Sequence, residues 1–403
     1  MPVATAKKEI PHLSSTTLWV MTITTGLVVA NLYYNQPLLV EISHTFNVTS
    51  AKAGQVSVLT QIGYAAGMFF FIPLADMFKR KKLMLIDFAF VVLSLLLAAI
   101  APNIHILLIA SLFIGASSMI PQLLIPMAAH LADPAERGKK IGFVMSGLLI
   151  GILLSRTFSG LVAAHFGWRS MFYIAAALMV TMWTLVYFLL PEIEPDYKGS
   201  YKNLMLSMVH LIRDEPKLRL AALRGALCFA CFSAFWSTLT FLLKQNFNLG
   251  SDIAGLFGLV GAFGALAVGA MGRLSDKMDP YHLSTFTLAL VIISFVVFAF
   301  SGHSVAGLII GVILMDMGVQ ATHISNQAII FATNPGARNR VNTIYMVTYF
   351  IGGALGTFAA TQLWYVYQWS GVCILGIAVS AIAFAAHLFN RKKIQNKATV
   401  VQS

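Results

Sequence analysis

The stretch KRKKLMLIDFAFVVLSLLLAAIAPN, residues 79–103, decides the class of this chain. Four basic residues, Lys79 to Lys82, lead into residues 83–101, which hold a single charge, Asp87. A helix needs roughly 20 predominantly apolar residues to cross the hydrocarbon of a bilayer. The segment therefore reads as one membrane span, closed by a Pro102-Asn103 turn. Working outward, stretches of the same kind run at about 18–40, 53–75, 83–101, 104–130, 140–164, 169–190, 220–243, 252–272, 282–300, 304–331, 341–365 and 368–390. That is twelve. Composition agrees, with 58% hydrophobic and only 10% charged residues, against about 25% charged in a soluble domain. So few charges cannot cover a water-soluble globule, and 29 Phe with 12 Tyr exclude disorder. Three Cys exclude a disulfide scaffold and a cysteine-only metal site. The first stretch follows Lys7 and Lys8 and is too long for the apolar core of a cleavable signal.

The net charge of +12 raises the question of nucleic acid, and the placement of the charges answers it. With a cytoplasmic N-terminus, all but four of the 27 Lys and Arg fall on or beside the cytoplasmic side. Lys52, Arg169 and Lys244 fall outside, and Arg156 falls within a span. This is the positive-inside pattern of a multi-pass plasma-membrane protein, here with both termini cytoplasmic. No loop is long enough to fold into a nucleic-acid reader, so none is expected as partner.

The longest polar connection, about 191–218, lies near the middle, and the chain repeats across it with an offset of 200 or 201. Phe46-Asn47-Val48 returns as Phe247-Asn248-Leu249, and Ala53-Gly54 as Ala254-Gly255. Leu74-Ala75-Asp76 returns as Leu274-Ser275-Asp276, Asp133-Pro134 with Arg137 as Asn334-Pro335 with Arg338, and Trp168 as Trp369. Six spans per repeat is an even number, so both halves enter from the same side and are parallel repeats. The expectation is an all-α membrane protein built as two pseudo-symmetric six-helix bundles. Residues 1–190 form the first and 219–403 the second with a cytoplasmic tail, joined by a cytoplasmic linker at 191–218. Such a chain suffices alone for a path between its halves, so a functional monomer is expected.

These features resemble the major facilitator superfamily over nearly the whole chain. The family's loop signature between spans 2 and 3 reads Gly-x-Leu-Ala-Asp-Arg-x-Gly-Arg-Lys. Here Ile72-Pro73-Leu74-Ala75-Asp76-Met77-Phe78-Lys79-Arg80-Lys81 keeps the Leu, the Asp and the basic run, while both Gly and the Arg after the Asp differ. The second copy, Gly272-Arg273-Leu274-Ser275-Asp276-Lys277, is closer. The opening Asn31-Leu32-Tyr33-Tyr34-Asn35-Gln36-Pro37-Leu38 is similar to a bacterial branch mostly assigned to efflux. The resemblance implies a cytoplasmic latch of Asp76, Arg80, Arg273 and Asp276, each Asp facing a helix N-terminus. The alternative is a solvated loop. Two departures bear on coupling. The family's span-4 Arg is Ser111 here, and the Pro of its span-5 antiporter signature is Ile152, after Gly151.

An ionisable side chain at mid-span costs about 2.5–3.5 kcal/mol on insertion scales, so it faces a cavity or a partner. Asp316 is the clearest case. Asp316, Gln320, His323 and Gln327 follow at steps of four, three and four, which places them on one stripe of span 10. Span 4 carries its own stripe of Ser111, Gly115, Ser118 and Gln122. Span 1 offers Asn31, Tyr34 and Asn35, and span 7 offers Ser233, Trp236, Ser237 and Thr240. Span 11 offers Asn342, Tyr345 and Tyr349. The span-10 stripe, with its span-4 counterpart, reads as the wall of a central substrate or proton site; the competing reading is an interhelical hydrogen-bond seam. Aromatic stripes are more often packing or interfacial anchors, and Trp236, whose face polar neighbours share, is the ligand contact expected among them. Arg156, always charged, is open to an anionic substrate group or to a pair with Asp316. Trp168 and Trp369 read as anchors at outer helix ends, Asp87 as reaching the cytoplasmic interface, and Glu41 and His130 as solvated.

No phosphate loop and no His-Glu-x-x-His metal motif is present. Cys228-x-x-Cys231 lacks a second ligand pair and reads as packing. No metal, no cofactor and no enzyme activity are expected. The leading expectation is a bacterial inner-membrane transporter exporting a small, partly hydrophobic compound against protons. Asp316 and His323 are its candidates for the protonatable step, since neutralising Asp316 lowers the cost of occluding the empty site. The runner-up is uptake or facilitated export of a polar metabolite such as a sugar, amino acid or organic anion. A non-transporting receptor of the same fold is the third reading, and its short loops count against it.

Overall fold

The computed structural model describes residues 13–133, 136–194, 199–261, 280–333 and 337–402. Every regular element in them is helical. In chain order these are α1 (Ser15–Ala30), α2 (Leu39–Phe46), α3 (Ser50–Phe71), α4 (Arg80–Ala99), α5 (Ile104–Ala116), α6 (Ile120–Leu131), α7 (Arg137–Phe166) and α8 (Trp168–Leu189). Then come α9 (Tyr201–Asp214), α10 (Pro216–Phe247), α11 (Ser251–Gly261), α12 (Pro280–Phe300), α13 (Val305–Thr333) and α14 (Arg338–Gln402). Among the described residues nine helices are long and apolar enough to cross a membrane. The longest of these, Arg338–Asn390, holds two expected spans and turns at Gln368. The shorter apolar helices α1 and α11 stand where the first and eighth spans are expected. The chain is an all-α, multi-pass membrane protein.

Local chemistry sets the ends. Asn103, the turn residue that closes the opening stretch, caps α5 by accepting from the Ile106 N–H at 3.1 Å. Ser14 and Thr49 cap α1 and α3 in the same way. Two spans that read as continuous in the sequence are broken. In span 1, Pro37 has no N–H for the Tyr33 carbonyl and its ring crowds that oxygen. Gln36 N–H takes the carbonyl instead, at 3.2 Å, and residues 31–35 form tight turns between α1 and the short helix Gln36–Leu38. In span 4, Pro121 acts likewise on Ser117, and Ser117–Met119 separate α5 from α6. The repeat partners of these prolines are Thr238 and Thr322, and α10 and α13 run unbroken through them. The polar connection carries a helix, α9, pinned by a hydrogen bond of 3.1 Å from the Tyr201 hydroxyl to the Phe70 carbonyl.

The repeat is written in the backbone. Asn47 and Asn248, one offset apart, both end their helices in the left-handed region, at φ 51° and 54°. Gly167 (φ 81°) and Gln368 (φ 54°), again one offset apart, both make the turn before a Trp. Those Trp are packed inside and are not lipid anchors. Trp168 donates to Thr45 Oγ1 at 3.0 Å and Trp369 to the Phe298 carbonyl at 2.8 Å. A buried indole N–H needs such an acceptor.

On the face away from Lys79–Lys82 and Arg137, the two halves touch. Thr240 donates to the Pro37 carbonyl at 3.2 Å, Thr157 to the Gly255 carbonyl at 2.9 Å and Ser251 to the Gly160 carbonyl at 3.4 Å. α7 and α11 meet backbone to backbone there, because a Cβ on Gly255 would strike the Arg156 carbonyl. At mid-depth Gln61 bridges the halves, donating to Ser233 at 3.4 Å and accepting from Thr357 at 3.5 Å. Towards the basic face a cavity of about 310 Å³ opens between the halves.

Candidate functional site

The site has two levels. The deeper one centres on Arg156 of α7, which is 2% exposed. Its Nε donates to Gln36 Oε1 at 2.7 Å, and its Nη1 makes a long 3.4 Å bond to the Ile152 carbonyl. The guanidinium carbon lies 4.2 Å from the Trp236 ring centre, 4.8 Å from Tyr33 and 5.3 Å from Phe232. Three rings from both halves thus stack around one cation. Asp316 of α13, 3% exposed, is near enough to interact with Arg156 electrostatically, but the two form no direct ion pair. Trp236 faces the Asp316 carboxylate without closing a hydrogen bond of good geometry. Arg156 Nη2, Trp236 Nε1 and Asp316 Oδ1 are all buried and all without a hydrogen-bond partner. An unpaired polar group in a low-dielectric site costs about 1–3 kcal/mol, and more if charged. Three such atoms lie around one aromatic cage. Gly261 lets these groups pack closely: a Cβ there would fall on Asp316 and the Trp236 ring.

The shallower level is the cavity. Gln122, His323, Gln327, Asn342 and Arg80 are among its lining side chains. Gln122 donates to the Tyr64 hydroxyl at 3.2 Å, and Gln327 makes a weak 3.5 Å contact to Asn342. His323 Nδ1 is 2.9 Å from the Tyr345 hydroxyl.

The span-10 stripe is therefore divided. Asp316 joins Arg156 in the deep level, His323 and Gln327 line the cavity, and half-buried Gln320 stands in neither group. Of the span-4 stripe only Gln122 lines the cavity; the Ser118 hydroxyl is spent on the Ile114 carbonyl at 2.6 Å. In span 1 the break at 31–35 cancels the helical spacing. Asn35 accepts from Ser57 and lies 3.4 Å from Thr60, forming a seam. Tyr34 sits on an apolar groove with Trp19 and Phe158, and its carbonyl accepts from Ser159. Asn31 donates weakly to the Met179 sulfur and leaves Oδ1 unpartnered. The side chain of Asp76, together with Arg273 and Asp276, lies outside the described residues, so of the expected latch only Arg80 is placed, at the cavity mouth. Asp87 does not reach a solvated interface. Its carboxylate is turned to the Met119 N–H at the break in span 4, beside a small pocket. Glu41 is half-buried in a cleft with His44 and Lys244. His130 is exposed as expected, and Cys228 and Cys231 are buried free thiols.

Sequence reasoning missed Gln36 and Tyr33, because the Pro37 break changes which residues share a face, and Phe232, one turn before Trp236 on α10, because an apolar ring in an apolar span carries no signal. It also missed Arg224, counted among the interfacial charges although it lies several residues inside span 7. Arg224 is wholly buried and hydrogen-bonded to Asn326 at 2.6 Å.

The profile of the Major Facilitator Superfamily matches residues 19–356 and, in a second match, 270–400. The chain belongs to the major facilitator superfamily. Among its relatives is the uncharacterized transporter YgaY of Escherichia coli O157:H7, 39% identical over 372 residues, or 92% of this chain and 94% of that protein. A Streptomyces coelicolor transporter designated SCO4007 is 30% identical over 364 residues, 90% of this chain and 84% of that one. Among solved structures, a bacterial homolog of the human lysosomal transporter Spinster superposes with a TM-score of 0.74 at 14% identity, covering 92% of this chain and 95% of that one. These relatives are transporters, and the twelve-helix, two-bundle architecture is the family's.

Proposed function

We propose that this major facilitator is a proton-coupled exporter of a small amphipathic organic compound, working by alternating access in the bacterial inner membrane. The basic face is then cytoplasmic, with both termini on that side, and the state described is open inward. Residues 1–190 and 219–403 are the two rocking units, 191–218 is their linker, and a single chain is sufficient. The observation that carries the reading is the trio of buried, unpartnered polar atoms on Arg156, Trp236 and Asp316, deep to the cavity and between the halves. The rings around Arg156 supply the apolar part of the contact. Asp316 takes the proton: when neutral it can be occluded without substrate at lower desolvation cost.

The test is reconstitution in proteoliposomes with an imposed pH gradient and a trapped pH indicator. Compounds are first chosen by quenching of intrinsic Trp fluorescence, since Trp236 borders the site. Asp316→Asn is expected to abolish compound-driven proton flux while quenching persists. Uphill efflux by that variant would remove Asp316 from the mechanism. A second reading, transport of an organic anion or another polar metabolite, is favoured by the free Nη2 of Arg156. Stimulation by lipophilic cations supports the first reading, and stimulation by anions the second.

A further inference from the structure

Behind His323 the second half buries a cation that the coupling scheme does not use. Arg224 of α10 donates from Nη2 to Asn326 Oδ1 at 2.6 Å, and its Nη1 lies 2.9 Å from His387 Nδ1. Asn326 turns its amide nitrogen towards the Tyr345 hydroxyl, in a contact too loose to count as a full hydrogen bond. That hydroxyl lies 2.9 Å from His323 Nδ1, and His323 lines the cavity. A chain of polar groups thus runs from Arg224 through α13 and α14 to the cavity wall.

Its polarity follows from one fact. A guanidinium has only donors. Asn326 must therefore give its oxygen to Arg224, which leaves its NH2 for Tyr345. The phenol oxygen faces that NH2, which offers it no acceptor, so its single proton is free for His323 Nδ1. An imidazole that accepts at Nδ1 and is neutral carries its hydrogen on Nε2. The other arm obeys the same rule. His387 accepts from Arg224 at Nδ1, its Nε2 is 2.9 Å from Thr285 Oγ1, and Thr285 donates to the Tyr281 carbonyl at 3.0 Å.

We propose that Arg224, acting through Asn326 and Tyr345, holds His323 as its neutral Nε2–H tautomer, so that the ring offers the cavity a hydrogen-bond donor for a carbonyl or carboxylate oxygen of the substrate. His323 is then a recognition residue and not a proton carrier; Arg224, Asn326 and Tyr345 are positioning residues. Protonating Nδ1 would aim two donors at the Tyr345 oxygen and leave its own O–H, fully buried, without an acceptor. The groups around His323 give a second proton no support. Tyr345 and the Tyr349 ring, 5.0 Å away, are neutral, and Arg80 across the cavity is a cation. Asp316 is two turns along the same helix, roughly 10 Å by helix rise. That the donor meets substrate rests on the transport reading above; the tautomer does not.

The experiment is nitrogen-15 NMR of ring-labelled histidines in the full chain in lipid nanodiscs, with the His323 signal identified by its loss in His323→Gln. The expected result is a pyridine-type Nδ1 and a pyrrole-type Nε2 that do not titrate from about pH 8 to about pH 5.5, where an ordinary His gains its proton. Arg224→Lys, still a donor-only cation, should keep the tautomer. Arg224→Gln and Tyr345→Phe should each give a mixture, and Tyr345→Phe decides the matter if Arg224→Gln does not fold. Nδ1–H in the parent protein, a ring that titrates within that range, or variants that leave the tautomer unchanged would each overturn the assignment. None of these outcomes touches Asp316, whose role the proton-flux assay reads separately.

Discussion

Replacing Arg156 by Met keeps the length of the side chain and deletes its charge. The loss has three parts. The Nε bond to Gln36 is charge-assisted, and such bonds contribute about 1.5–3 kcal/mol. Stacking on Trp236, Tyr33 and Phe232 adds about 0.5–2 kcal/mol for a well-desolvated ring contact. The third part is Asp316, left in the same buried place without its counter-charge. Two unit charges at an ion-pair distance of about 4 Å attract by about 4 kcal/mol at an effective dielectric of about 20, and these two, which form no direct pair, attract by less. The three parts overlap, and breaking a buried pair from one side costs about 3–5 kcal/mol. We expect that range for Arg156→Met in equilibrium unfolding by SDS in mixed micelles. Asp316→Asn removes the stranded charge, so the double variant should be less unstable than the sum of the singles, by about 1–3 kcal/mol. Additivity within about 0.3 kcal/mol would refute the reasoning, because two charges that ignore each other do not share a site.

Three further outcomes follow from the same coordinates. Gln368 holds φ 54° and ψ −145°, a conformation suited to glycine, and its repeat partner is Gly167. Gln368→Gly should therefore stabilise by about 1 kcal/mol in the same unfolding assay, and a loss of stability would count against the turn. Trp168→Phe deletes the bond to Thr45 and should cost about 1 kcal/mol, whereas an unchanged transition would return Trp168 to the role of a lipid anchor. Asn342→Cys, on the cavity wall, should react with a membrane-impermeant thiol reagent applied from the basic face, and buried Thr240→Cys should not. The three native thiols are buried and give little background. Equal labelling of both positions would contradict a cavity open on one side only.

The class, the number of spans and the repeat were legible in the chain because each rests on a property that is additive along it. Hydrocarbon thickness sets the length of an apolar run, and a duplicated half must repeat its turns, as Asn47 with Asn248 and Gly167 with Gln368 do. Asp316 and Arg156 were legible for a related reason, since a charge inside an apolar run needs a partner or a cavity whatever the packing. Helical phase carried the rest only where the helix is continuous. It holds along α13 for His323 and Gln327 and fails in span 1, where Pro37 breaks the hydrogen-bond ladder and exchanges Asn35 for Gln36.

Which polar atoms remain unpaired is a different kind of property. Asn35 and Ser118 look as available as Asp316 in the sequence, yet their side chains are satisfied by Ser57 and the Ile114 carbonyl. Arg224 looks interfacial and is buried against Asn326 and His387, residues 102 and 163 positions away. Pairings over such separations are made by helices that touch only when the bundle closes. The chain by itself settles that it spans the membrane twelve times as two related halves. Tertiary packing alone decides which of its many polar side chains are consumed as structure and which, like Oδ1 of Asp316, are left without a protein partner.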